Sequence, residues 1–165
     1  MEQQEASKDA VMTRIGQAVM LLHGGDREEA RNRFRILWEE LGERGSALHR
    51  CTLAHYMADT QDDPEDELDW DLRALAAAEL PGAGPEGPDA TREAVAVRAF
   101  LPSLHLDLAA DYLALRRFEA ARTHLDQAWE AVGALGVESE DGHGEAVRAA
   151  LGRLEHRMRG SGTGT

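Results

Sequence analysis

Two segments of this chain, 91 positions apart (28 to 119), have nearly the same pattern of residues. Residues 28–42, EEARNRFRILWEELG, align without a gap with residues 119–133, EAARTHLDQAWEAVG. The identical pairs are Glu28 and Glu119, Ala30 and Ala121, Arg31 and Arg122, Trp38 and Trp129, Glu39 and Glu130, and Gly42 and Gly133. Ala18 and Ala109 have the same separation. The duplication predicts a fold made of repeated helical units.

The second copy belongs to a longer stretch, residues 102–133, whose pattern predicts two short helices joined by a turn. Its marked positions are Leu108, Ala109 and Tyr112 in the first helix, and Phe118, Ala121, Leu125 and Ala128 in the second. This arrangement resembles a tetratricopeptide repeat. Small residues at the alanine positions allow two antiparallel helices to approach closely. His105 stands where the repeat usually has a large aromatic residue.

The resemblance covers most of residues 7–158 and extends to a group of small bacterial tetratricopeptide proteins. It implies an all-α fold, a right-handed α-α superhelix of about three helix pairs plus a C-terminal capping helix. Two repeat periods of about 34 residues account for about 68 of the positions between the copies and leave roughly 23. One further repeat and one insertion are therefore expected between them.

Local signals give the expected boundaries of these elements. Gly24 and Gly25 end a first helix that starts near Ser7, and Asp26 is a suitable N-cap for the second. Pro64 after Asp63 begins a fourth helix, because proline is tolerated in the first helical turn.

We therefore predict one helical domain over residues 1–159. Its parts are repeat 1 at 7–42, a degenerate repeat 2 at 45–80, an insertion loop and helix at 81–101, repeat 3 at 102–133, a capping helix at 144–159 and a disordered tail at 160–165. The loop is PGAGPEGP, which cannot form regular structure. The insertion helix is expected to continue through Pro102 as one long, bent helix.

Composition limits the functional classes. With 165 residues, 42% of them hydrophobic and 30% charged, the chain suits one soluble domain. It has no apolar run near the ~20 residues that span a bilayer and no signal-peptide pattern, so we expect a cytoplasmic protein without membrane contact. A net charge of −13 disfavours nucleic acid as a partner. The single cysteine, Cys51, agrees with a reducing compartment.

The resemblance implies a concave surface lined by the first helix of each repeat. Carried onto this chain, the inward positions are Met12, Ile15, Val19, Leu22 and His23 in repeat 1, and Ser103, Leu106, Ala110, Leu113 and Ala114 in repeat 3. Most are apolar, and the family's cluster of Lys, Arg and Asn for peptide carboxylates is missing. An apolar groove suits an amphipathic partner helix. The alternative occupants are this chain's own insertion, its C-terminal helix, or a second copy in a homodimer.

One local pattern suggests chemistry. Cys51, His55 and Asp59 follow one another at intervals of four on a predicted helix, and His105 is a further candidate. These residue types bind metals, although no fourth ligand is identifiable and a buried cysteine is commonly only a small apolar residue. The acidic stretch 59–71 lacks the glycine of a calcium-binding EF-hand loop. No catalytic or nucleotide-binding motif is present, so we expect neither an enzyme nor a cofactor.

The favoured hypothesis is a non-catalytic module that binds a partner helix, a peptide or a second copy of itself in an apolar concave groove. A second hypothesis is a small-molecule or metal-binding accessory protein, or accessory enzyme, that uses Cys51, His55, Asp59 and His105. A third is an indirect transcriptional regulator that acts through a bound protein.

Overall fold

The chain forms an all-α structure, as predicted. A computed structural model describes residues 2–79, 88–134 and 143–162. The α-helices are α1 (Glu2–His23), α2 (Arg27–Leu41), α3 (Ala47–Asp59), α4 (Pro64–Glu79), α5 (Pro88–Ala114), α6 (Phe118–Ala134) and α7 (His143–Gly162), with a short 3₁₀ helix at Gly42–Arg44. None of the described helices is long and apolar enough to cross a bilayer.

The predicted helix starts are held by side-chain caps. Asp26 Oδ1 accepts a hydrogen bond from the Glu29 amide at 3.3 Å, and so begins α2. Asp63 Oδ1 accepts from the Glu65 amide at 2.8 Å, beside Pro64 in the first turn of α4. Each cap satisfies an amide that has no partner within its own helix.

Some boundaries differ from the prediction. Helix α1 begins at Glu2 instead of near residue 7, since residues 2–6 contain neither glycine nor proline to stop it. Helix α5 is continuous through Pro102, as expected. Helix α7 extends to Gly162, so residues 160–162 of the predicted tail are helical. Most of the predicted loop at 81–88, the linker after α6 and residues 163–165 lie outside the described residues.

The chain divides into two compact units. The first comprises residues 1–94 and the second residues 95–165, so the boundary falls inside α5.

The core of the first unit joins α1, α2 and α3. Its buried residues are Ile15, Ala18, Ala30, Phe34, Leu37, Leu53 and Met57. Trp38 and Trp70 pack at its edge with their ring centroids 5.3 Å apart and nearly perpendicular. Arg31 links α2 to the end of α3, because its Nε and Nη2 donate to the Thr60 carbonyl at 3.1 and 2.6 Å. Packing and this hydrogen-bonded arginine together hold α2 against α3.

The second unit contains most of α5 with α6 and α7. Its buried core consists of Ala109, Ala121, Leu125, Ala128, Val132, Val147, Leu151, Leu154 and Met158. The four α7 members recur at intervals of three and four residues, so one face of α7 is buried in this core. The opposite face of α7 is exposed.

The turns between α1 and α2 and between α5 and α6 have the same hydrogen bonds at the same 91-residue separation. In the first turn the amides of Gly25 and Asp26 donate to the carbonyls of Leu22 and Leu21 at 3.1 and 2.9 Å. In the second turn, the amides of Arg116 and Arg117 donate to the carbonyls of Leu113 and Tyr112 at 3.0 and 2.8 Å. Both are the Schellman form of helix ending, which places one residue in the left-handed region.

The duplicated helices also have equivalent buried positions. Ala18 and Ala109 are both 0% exposed, as are Ala30 and Ala121. The internal repeat is therefore present in the backbone turns and in the packing, as well as in the sequence.

Substitutions at equivalent positions of the two turns are expected to have opposite effects on the free energy of unfolding. The left-handed residue is Gly25 (φ 97°) in the first turn but Arg116 (φ 61°) in the second. A side chain in this region costs about 1 kcal/mol, so Arg116→Gly should raise the free energy of unfolding and Gly25→Ala should lower it, each by about that amount. No atom lies within 4 Å of a Cβ built at Gly25. The destabilisation expected for Gly25→Ala therefore comes from backbone strain alone. Urea denaturation measures both changes, and equal effects of the same sign would contradict the shared turn geometry.

Candidate partner-binding groove

A groove runs between α5 and α7 within the second unit. Its volume is about 910 Å³, and its lining residues are Leu106 and Ala110 of α5 with Ala149, Ala150, Gly152, Arg153, His156 and Arg157 of α7. We call this set the α5–α7 groove. Leu106 and Ala110 were both predicted as inward-facing positions of the concave surface.

The groove exists because its lining residues are small where α7 passes α5. Ala110, Ala149, Ala150 and Gly152 contribute at most a methyl group each. A Cβ built at Gly152 would meet no atom within 4 Å, so space remains directly above the α7 backbone. A larger side chain at that position would extend into the groove without displacing the core.

Positive charge borders the apolar part of the groove. Arg153 and Arg157 are exposed and lie four residues apart on α7, with His156 between them. Helix α7 contains four arginines and two glutamates, whereas the whole chain has a net charge of −13. The groove therefore combines apolar surface with a local cationic edge on an acidic protein.

The other repeat 3 positions contribute differently. Leu113 is half-buried and packs against the core of the second unit, Ser103 is half-buried, and Ala114 is exposed. The sequence predicted α7 as a capping helix or as an occupant of the concave surface, and did not predict that its exposed residues would line a groove beside α5. The small residues Ala149 and Gly152, which precede Arg153 in the sequence, were the signal from which the α7 side of the groove could have been predicted.

The repeat 1 positions are placed mainly in and around the first core. Ile15 is only 2% exposed and belongs to that core, while Val19 and Leu22 are half-buried against it. Met12 and His23 are exposed. A smaller cavity of about 230 Å³ in this unit is lined by Arg14, Gln17, Arg33, Ile36 and Leu37. None of the five repeat 1 positions is among those lining residues.

Cys51 lies in an environment that suppresses thiol chemistry. Its side chain is fully buried, and desolvation raises the pKa of the thiol to about 12. The thiol therefore stays protonated at neutral pH, whereas nucleophiles and metal ligands need the thiolate. His55 is half-buried and contacts the Tyr56 ring, with centroids 5.0 Å apart, and Asp59 is exposed. The predicted series thus runs from the buried interior to the surface.

His105 belongs to an aromatic stack in the second unit. Its ring stacks on His124 with centroids 5.3 Å apart, and His124 in turn stacks on Tyr112 at 5.5 Å. The Nδ1 atoms of the two histidines are 3.1 Å apart, a distance at which one ring N–H donates to the other ring nitrogen. Burial lowers the pKa of His105. The His105 ring is therefore packed like an aromatic side chain.

Comparison with known protein families, with curated proteins and with solved structures finds no match for this chain.

The burial of Cys51 predicts slow thiol labelling. We expect the native protein to react with an aromatic disulfide reagent far more slowly than protein unfolded in guanidinium chloride, because the thiol is both desolvated and protonated. A Cys51→Ala, Ala149→Cys variant has its only thiol on the exposed face of α7 and is the control, expected to react at once. Complete labelling of native Cys51 as fast as this control would contradict the described environment.

The lowered pKa of His105 predicts acid-sensitive stability. Between the folded-state pKa and the unfolded value of about 6.5, the unfolded chain binds more protons, so the free energy of unfolding should fall as the pH falls through this range. His105→Phe retains a stacking ring without a titrating group and should make this decrease shallower. Urea denaturation at several pH values measures the slope, with the exposed His156→Phe as control. An unchanged slope in His105→Phe would rule out this contribution.

Proposed function

We propose that this protein is a non-catalytic, tetratricopeptide-like interaction module that binds a partner helix or peptide in the α5–α7 groove. The supporting observation is that Leu106 and Ala110, chosen from the sequence as inward positions, line a groove of about 910 Å³. Concave, largely apolar surfaces with a few placed polar groups are typical of binding sites.

The dimensions of the groove suit a short helix. From Ala149 to Arg157 the lining of α7 covers eight residue steps, about 12 Å at the helical rise of 1.5 Å per residue. A partner helix lying along α7 would place about two turns in the groove. Two turns present apolar side chains at positions i, i+3, i+4 and i+7, which is the pattern of helix-in-groove recognition.

The alternative chemistry has less support. A metal or nucleophilic role for the predicted cluster needs the Cys51 thiolate, and the raised pKa of this thiol opposes its formation. Binding of a helix in the groove, by contrast, does not require an ionised group in the interior of the protein. We therefore favour binding over catalysis.

A tryptophan at Gly152 tests the groove directly. Gly152→Trp should occupy the apolar space and weaken partner binding by at least about tenfold, a change of about 1.4 kcal/mol. Replacing a helical glycine also favours the helix, so lost binding would not reflect unfolding. Partners are identified by co-purification from cells that express the protein, and their affinities are then measured by calorimetry with purified components.

Gly133→Trp is the matched control. Gly133 is an exposed helical glycine of α6, and its Cβ would also meet no atom within 4 Å, but it is not among the groove residues. We expect this variant to bind like wild type, within about twofold. Partners that bind Gly152→Trp as tightly as wild type would exclude the groove as their site.

A further inference from the structure

We propose that the segment held in the α5–α7 groove is an acidic amphipathic helix. This inference rests on the proposed function and adds the chemistry of the partner. It follows from the division of the groove into an apolar floor and a cationic edge.

The floor requires an apolar stripe from the partner. Leu106 is half-buried and packs against the core of the second unit, and Ala110 lies one helical turn further along α5. Ala149 on α7 is also apolar and exposed. A partner that covered only the charged edge would leave this apolar surface in water, so an entirely polar acidic segment would gain little from the floor.

The edge requires acidic groups from the partner. Arg153 is exposed at the edge of the groove, so its guanidinium group can meet a carboxylate on a helix beside α7. Arg157, one helical turn further on, already has an interaction within this chain and adds a second positive charge to the edge. Arginine binds carboxylates in a bidentate manner and is favoured at interfaces for that reason. Among the residues that the structure describes, no carboxylate lies within ion-pair distance of Arg153.

The net charge and the local charge predict opposite partners. A protein with a net charge of −13 attracts basic segments at long range, but charges farther apart than about 8 Å are largely screened at physiological salt. Contacts inside the groove are shorter than this distance. The charged residues that line the groove, Arg153 and Arg157, therefore favour an acidic segment and repel a basic one.

Three synthetic peptides of equal length test this selection. The first has leucines at i, i+3, i+4 and i+7 flanked by glutamates, the second has lysines in place of the glutamates, and the third has the composition of the first with the leucines scattered. Binding is measured by fluorescence anisotropy at about 0.15 M salt. We expect the acidic amphipathic peptide to bind wild type at least about tenfold more tightly than the other two, and Gly152→Trp to abolish this binding.

Charge reversal provides the second measurement. Arg153→Glu combined with Arg157→Glu should reverse the preference, so that the lysine peptide binds more tightly than the glutamate peptide. Arg122→Glu combined with Arg148→Glu makes the same change in net charge at exposed sites of α6 and α7 outside the groove lining, and it should retain the acidic preference.

Other results separate the two proposals. If the lysine peptide binds more tightly and Gly152→Trp abolishes its binding, the groove is a helix site but its acidic preference is overturned. Equal binding of the scattered-leucine peptide overturns the amphipathic requirement. If sedimentation shows a wild-type dimer that Gly152→Trp converts to a monomer, the occupant is a second copy and the acidic-partner inference is overturned. If no peptide shows binding that depends on Gly152, the proposed function fails as well.

Discussion

Two helix pairs, α1 with α2 and α5 with α6, form hairpins that depend on close helix packing at alanines. Ala18 and Ala30 in the first unit, and Ala109 and Ala121 in the second, are fully excluded from solvent. A larger side chain at any of these positions would push two helices apart and leave gaps elsewhere in a closely packed core. The shared Schellman turn complements this packing, because it brings the second helix of each hairpin back along the first with the same geometry.

In the second unit, the packing of α7 turns a helix surface into a groove. Val147, Leu151 and Leu154 bury one face of α7 in the core, which leaves Ala149 and Gly152 near Leu106 and Ala110. Small side chains therefore have two different effects in this unit. Buried alanines bring helices together, whereas the small residues at the exposed side of α7 leave space between helices.

Burial also decides which polar residues can act. Cys51 has a potentially nucleophilic sulfur, but its burial makes this atom inaccessible. Desolvation also raises the pKa of the thiol and so favours its protonated form. His105 has a ring that could bind a proton or metal, but in this structure it stacks with His124 and shares a hydrogen bond with it. Arg153, by contrast, is exposed at the edge of the groove. The side chain of Arg153 is thus accessible at the groove, whereas Cys51 and His105 are buried and packed among their neighbours.

The sequence by itself determined the all-α class, most helix boundaries, the N-caps at Asp26 and Asp63, and the duplication of a pair of helices. These follow from local hydrogen bonding, from helical periodicity and from the repeated motif. Only the tertiary structure decided that Ile15 is a core residue, that Cys51 is fully buried, and that α7 borders a groove with Arg153 and Arg157 at its edge. The physical reason is that periodicity identifies which face of a helix is apolar, whereas the neighbour that covers this face is set by contacts between residues distant in the chain.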